Sequence, residues 1–105
     1  MSVSLATKLT QREKRMREKL TSFRIGEKYL IRTVTNYLLG KLEQVTDTDL
    51  LLSDASWVAD TGRFHLALRD GVLNEIEPYP NEVIVSRGAI VDAAVWSHEL
   101  PRVAQ

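Results

Sequence analysis

Two separate segments of the chain share a strand–turn–strand pattern, and each contains a glycine. The first, residues 36–55, reads NYLLGKLEQVTDTDLLLSDA and carries Gly40 inside a strand-like run. The second, residues 81–96, reads NEVIVSRGAIVDAAVW and places Arg87-Gly88 between two β-branched runs. Glycine weakens the interior of a strand unless a bend or a close backbone approach requires it. The two segments therefore predict a small β fold whose chain bends sharply at Gly40.

The remaining strand signals give the order of the elements. Residues 28–34 are rich in β-branched and aromatic side chains and predict the first strand. Residues 37–47 and 49–58 predict the second and third strands, and residues 82–86 and 89–96 predict the last two. The expected fold class is thus mainly β, with five strands.

The link of residues 59–80 fits two structures. Asp60 or Thr61 can cap a helix over residues 62–70, and Gly71 supplies its C-terminal stop. Apolar residues in the same stretch also alternate with the period of a strand. We therefore expect a helical or extended insertion between the third and fourth strands.

Charge is distributed unevenly along a chain that is neutral overall. The first 32 residues hold nine basic and three acidic side chains, whereas the rest hold five and eleven. Residues 5–23 predict a helix with an apolar stripe. A basic stripe lies beside it, formed by Lys8, Arg12, Arg15 and Lys19. This helix either docks on the body through its apolar stripe or presents the basic stripe to nucleic acid.

Several classes of protein are excluded or disfavoured by composition. The absence of cysteine excludes disulfides and thiolate zinc sites. No apolar run reaches the length of roughly 18 residues that a transmembrane helix needs. The short apolar run of residues 5–9 is followed by charge, so we expect no signal peptide. We expect a cytoplasmic protein without membrane contact, organised as one domain over residues 1–105: a basic helix in 1–26, a barrel in 27–97 and a tail in 98–105.

An enzymatic or metal-dependent role is not indicated. His65 and His98 lack a second histidine or a positioned acid at ligand spacing. Asp47, Asp49 and Asp54 are interpreted as a solvated acidic stretch in preference to a divalent-cation site. We expect no catalytic residue, no metal and no cofactor.

The two segments resemble the two sequence motifs of the Sm/LSm family, in a divergent bacterial or viral form. The first motif corresponds to Gly40-Lys41-Leu42, Asp47-Thr48-Asp49, Leu50-Leu51-Leu52 and Asp54-Ala55, and the second to Val83-Ile84-Val85, Arg87-Gly88 and Ile90-Val91. The resemblance implies a small bent five-stranded barrel behind the N-terminal helix. It also implies a homo-oligomeric ring of about five to seven copies, in which the fourth strand of one subunit pairs with the fifth strand of the next.

The resemblance further implies candidate RNA-binding residues. These are Asp47, Asp49, Arg87 and Gly88 at the ring pore, with Lys8, Arg12, Arg15 and Lys19 on the helical face. Asp49 stands where RNA-binding members carry an asparagine whose amide reads a base edge, and a carboxylate can only accept hydrogen bonds. Ala89 follows the Arg-Gly pair where the family places a polar residue. The alternative is a structural or protein-interaction ring that has lost RNA recognition.

Overall fold

The structure is a computed structural model that describes Thr10 and residues 22–105. This part of the chain is mainly β, as predicted. Its elements are β1 (Lys28–Thr33), β2 (Tyr37–Val45), β3 (Asp49–Asp60), α1 (Phe64–Asp70), β4 (Glu75–Pro78), β5 (Val83–Ser86), a 3-10 turn (Arg87–Ala89) and β6 (Ile90–Val95). The five predicted strands are confirmed to within two residues at each end.

The predicted N-terminal helix of residues 5–23 lies outside the described residues, apart from Thr10, Ser22 and Phe23. Those outside include the four members of the basic stripe, Lys8, Arg12, Arg15 and Lys19.

The strands form one antiparallel sheet in the order β4-β3-β2-β1-β6. β3 is long enough to hold two partners on one edge: β5 pairs with its first half and β4 with its second half. The prediction of a closed five-stranded barrel is therefore wrong, because the described residues form an open six-stranded sheet. The insertion supplies the additional strand, and β5 and β6 pair with β3 and β1 but not with each other.

Gly40 lies opposite a β-bulge. The register of β2 with β3 passes from Leu39↔Ser56 to Lys41↔Ser53, so that two residues of β3 face Gly40. One of the two, Asp54, adopts a left-handed φ of 48°. A bulge bends its strand and increases the local twist. The sequence indicates that position 40 needs a glycine, and the structure gives the reason: β3 approaches β2 closely at the bulge.

Both faces of the sheet are apolar. One face carries a buried cluster made of Tyr29, Ile31, Leu38, Leu42, Leu50, Leu52, Ala55 and Val85. The opposite face carries a second buried cluster made of Leu30, Leu39, Val58, Ala67, Leu73, Ile76 and Trp96. The second cluster includes Ala67 of α1 and Leu73 of the segment after α1. The insertion therefore covers this second face, the back of the sheet.

The stretch for which the sequence left helix and strand open forms the helix α1, and the short strand β4 follows it. Gly71 ends α1 in the left-handed conformation, with φ at 73°, which confirms the predicted stop. The predicted caps Asp60 and Thr61 are wrong, because Arg63 occupies the N-cap position. The carboxylate of Asp60 instead accepts a hydrogen bond from the backbone N–H of Gly62 at 2.8 Å, forming a turn before the helix.

The C-terminal tail fastens the insertion to the sheet. The backbone carbonyl of His98 accepts a hydrogen bond from the Lys28 ammonium. The ring Nε2 of His98 lies 2.8 Å from the carbonyl oxygen of Leu68 in α1. Gln105 and Ile76 exchange two backbone hydrogen bonds of 3.0 Å each. The tail therefore contacts both α1 and β4 and connects them to β1.

Candidate nucleic-acid interface

The structure brings the two motifs into contact. Asp49, at the start of β3, lies opposite Ser86, at the end of β5. The backbone N–H of Arg87 donates to the Thr48 carbonyl at 2.9 Å. The Arg87 guanidinium donates through Nη1 to the Thr46 carbonyl at 2.6 Å. Two turns of the chain thus adjoin, and together they carry the predicted residues Asp47, Asp49, Arg87 and Gly88.

The turn between β2 and β3, residues 46–49, is closed by its own hydrogen bonds. Two backbone N–H groups join Thr46 to Asp49: the Thr46 N–H donates to the Asp49 carbonyl at 2.9 Å, and the Asp49 N–H donates to Thr46 Oγ1 at 3.0 Å. The hydroxyl of Thr48 donates to Asp49 Oδ2 at 3.2 Å. The Asp49 carboxylate is therefore oriented by its own turn, whereas Asp47 is exposed at the tip.

A groove of about 220 Å³ runs beside this turn toward β5. It is lined by Gln44, Thr46, Asp49, Leu50, Leu51 and Ile84. Leu51 and Ile84 are directly opposite each other in the β3–β5 register, and Ile84 is 71% exposed. The groove thus combines an apolar wall with amide, hydroxyl and carboxylate groups. Such a surface can hold a flat ring and accept hydrogen bonds from its edge.

Gly88 has no close neighbour that requires a glycine. A Cβ placed there would find the Ser86 hydroxyl oxygen at 3.7 Å as its nearest contact, which is an ordinary van der Waals distance. Gly88 is exposed within the 3-10 turn. On this chain its backbone is therefore accessible, while Arg87 beside it supports the neighbouring turn.

Five of the six groove residues were not predicted as site residues, since the sequence indicated only Asp49. Leu50, Leu51 and Ile84 were assigned to the strands of the two motifs. Thr46 carried a signal, because Thr and Asp side chains commonly bond to the backbone of their own turn. Gln44 and Ile84 carried none: the register of β2 with β3 shifts between Leu42 and Gln44, and only that shift decides which face Gln44 joins.

The two strands on either side of the 3-10 turn each have an outer edge. β5 pairs only with β3, and β6 only with β1, among the strands of residues 22–105. Ile84 on β5 is joined by two further exposed apolar residues on β6, Val91 and Val95, each 57% exposed. A groove of about 270 Å³ lies beside β6, and Phe23, Tyr29 and Ile90 contribute to its lining. Unpartnered apolar edges of this kind are pairing sites for another chain.

The other candidate residues do not assemble into a site. Within residues 22–105 no group of three His, Asp or Glu side chains is arranged to hold a metal ion. His98 lies edge-on to Trp96 with ring centroids 5.1 Å apart, in a structural contact of the tail. His65 is exposed on α1.

No helix of the described part of the chain is long and apolar enough to cross a membrane. No protein-family model, curated protein or solved structure matches the chain.

Proposed function

We propose that this chain is a divergent Sm-like protein of the cytoplasm that assembles into a closed homo-oligomeric ring and binds RNA at the two adjoining turns. The observation that carries the proposal is the contact between the turns, in which Arg87 donates to the carbonyls of Thr46 and Thr48. Residues distant in sequence are thereby collected at one end of the sheet, next to both outer edges.

Ring assembly is supported by the two edges. The outer edges of β5 and β6 belong to different sides of one sheet, so pairing between them joins unlike surfaces of two copies. A contact between unlike surfaces can repeat from one copy to the next. The copies form a closed ring when the rotation between neighbouring copies returns the last copy to the first. Such pairing gives the backbone edges of β5 and β6 a partner and covers Val91 and Val95, which are exposed on the single chain.

RNA binding is supported by the composition of the site. Every copy in a ring contributes the same pair of turns, so the accessible backbone of Gly88 and the groove beside Asp49 recur around it. Single-stranded RNA is recognised by stacking of its bases and by hydrogen bonds to their edges, and the groove offers surfaces for both.

A structural ring without RNA is the second candidate, and one observation favours it. The Arg87 guanidinium donates to a backbone carbonyl of its own chain, where it holds the turn in place. The adjoining turn contributes two carboxylates, Asp47 and Asp49, which disfavour a nearby phosphate.

Assembly is tested by light scattering coupled to size-exclusion chromatography at micromolar concentration. The expected result is a single species of about five to seven copies. Val91→Pro removes one ladder N–H from β6 and is expected to break the ring. Val103→Pro, an exposed apolar position in the tail, is the matched control and should leave the ring intact. A monomeric wild-type protein refutes the assembly.

RNA binding is tested by fluorescence anisotropy with U-rich, A-rich and mixed-sequence RNA across a salt series. Affinity should fall steeply with salt, because each neutralised phosphate releases counterions. Replacing the basic stripe with glutamine should flatten that dependence while leaving the ring intact; the positions are Lys8, Arg12, Arg15 and Lys19. Absence of binding to every RNA at low salt, with an intact ring, selects the structural alternative.

A further inference from the structure

We infer that the groove beside Asp49 is a base pocket selective for guanine. This inference rests on the proposed RNA binding and adds the identity of the base. It is drawn from the shape of the groove, from its apolar wall and from the polar groups at its rim.

The size of the groove suits a single base. Its volume of about 220 Å³ lies below the roughly 300 Å³ at which pockets for drug-sized molecules begin. Leu51 and Ile84 form its apolar wall and are paired across β3 and β5, so they present one continuous surface. A flat base resting on this surface covers the side chain of Ile84, most of which is otherwise exposed to water.

The polar groups at the rim determine which base edge fits. The Asp49 carboxylate accepts one hydrogen bond, from the Thr48 hydroxyl at 3.2 Å. A carboxylate has about four acceptor positions, so it retains capacity for a ligand. Guanine presents two adjacent donors, N1–H and the N2 amino group, which match the two oxygens of one carboxylate. The amide of Gln44, on the same rim, can donate to the neighbouring O6.

The other bases present the wrong edge to a carboxylate. Uracil offers one donor, N3–H, between two carbonyl oxygens that repel Asp49. Adenine and cytosine each place a ring-nitrogen acceptor beside their amino group. A base that puts an acceptor against Asp49 desolvates the carboxylate without replacing the hydrogen bonds lost from water. Guanine alone among the four gives Asp49 two donors.

The test uses the full-length protein and fluorescein-labelled uridine heptamers that carry one guest base at the centre. The guest is uracil, adenine, cytosine or guanine, and binding is followed by fluorescence anisotropy at low salt. The guanine heptamer is expected to bind roughly tenfold or more tightly than the all-uridine heptamer, as for a bidentate base contact. Inosine lacks the N2 amino group and is expected to lose most of this advantage, a result that needs no protein variant.

Two matched variants locate the contact. Asp49→Asn replaces an acceptor-only group with one that also donates, so the guanine preference should disappear and binding of the uridine heptamer should strengthen. Glu82→Gln removes the same charge at an exposed residue just before β5, outside the groove, and should leave the preference unchanged. Thermal melting shows whether each variant is folded.

The outcomes separate this inference from the function on which it rests. Equal affinity for all guest bases, or an inosine heptamer that binds as tightly as the guanine heptamer, overturns guanine selectivity while RNA binding stands. Loss of the preference in Glu82→Gln as well shows that net charge decides and also overturns it. Failure of every heptamer to bind refutes the RNA-binding function itself.

Discussion

Replacement of Gly40 by alanine tests the contact between β2 and the bulge of β3. A Cβ at this position would lie 3.1 Å from the Ala55 Cβ, 3.2 Å from the Leu52 Cβ and 3.3 Å from the Ala55 Cα. Carbon atoms pack best at about 3.5–4.0 Å, so all three contacts are too short. The crowding atoms belong to or adjoin the backbone of β3, which prevents them from rotating away as the end of a long side chain would.

The size of the effect follows from two opposing terms. Overpacking a filled core costs about 1–3 kcal/mol. Alanine also restricts the unfolded chain, which stabilises the fold by roughly 0.4–1 kcal/mol where the backbone conformation permits it. Gly40 has no left-handed φ, so this gain is realised. The expected net loss for Gly40→Ala is about 1–2 kcal/mol, and Gly40→Val, which adds two further carbons, should cost more.

Urea denaturation measures this loss and is done at fixed protein concentration, because the proposed assembly would make apparent stability concentration-dependent. Gly88→Ala is the matched control: its nearest neighbour lies at 3.7 Å, and its stability should equal or slightly exceed that of the wild type. Adding Ala55→Gly to Gly40→Ala removes the shortest contact and should recover part of the loss relative to Ala55→Gly alone. A Gly40→Ala protein as stable as Gly88→Ala would refute the close approach.

Three further predictions concern the back of the sheet and the tail. The buried hydroxyl of Ser56 lacks a hydrogen-bond partner, so Ser56→Ala should raise the free energy of unfolding by about 0.5–1 kcal/mol in urea; a loss of that size would show that the hydroxyl is satisfied. Gly71→Ala should lower the melting temperature by several degrees, because φ is 73° and the added Cβ would lie 2.6 Å from His98 Cγ; an unchanged melting temperature would contradict that contact. The hydrogen bond from Arg69 lowers the pKa of Asp70, so NMR titration of Arg69→Gln should show this pKa rising towards its ordinary value. The pKa of Asp70 is lower in the folded than in the unfolded protein, so its contribution to stability is present at neutral pH and is lost as pH falls through the folded-state pKa. An Asp70 pKa that is the same in the wild type and in Arg69→Gln would refute the contact.

The five predicted strands were recovered well, because the signals that mark them are local. Strand bounds depend on β-branched runs and on the turn residues between them, and both are visible in the sequence. Gly71 was identified as a helix stop because the left-handed conformation at a helix end favours glycine wherever it occurs. Gly40 was identified as a required glycine for a similar reason, although the atoms that crowd it belong to a strand 12 to 15 positions away.

The local sequence pattern could not predict that the sheet stays open, nor which residues form the site. Whether a sheet closes depends on which edges find partners, and β4 occupies part of the β3 edge only because the insertion folds back onto it. The groove depends on the register shift that places Gln44 beside Leu51, and on the pairing of β5 that brings Ile84 opposite it. The local pattern of the sequence therefore determined the strands, the turns and the required glycines. Long-range pairing decided the open sheet, the contact between the two turns and the groove. The sequence alone does not fix that pairing, and a shift of one residue in register exchanges the two faces of a strand.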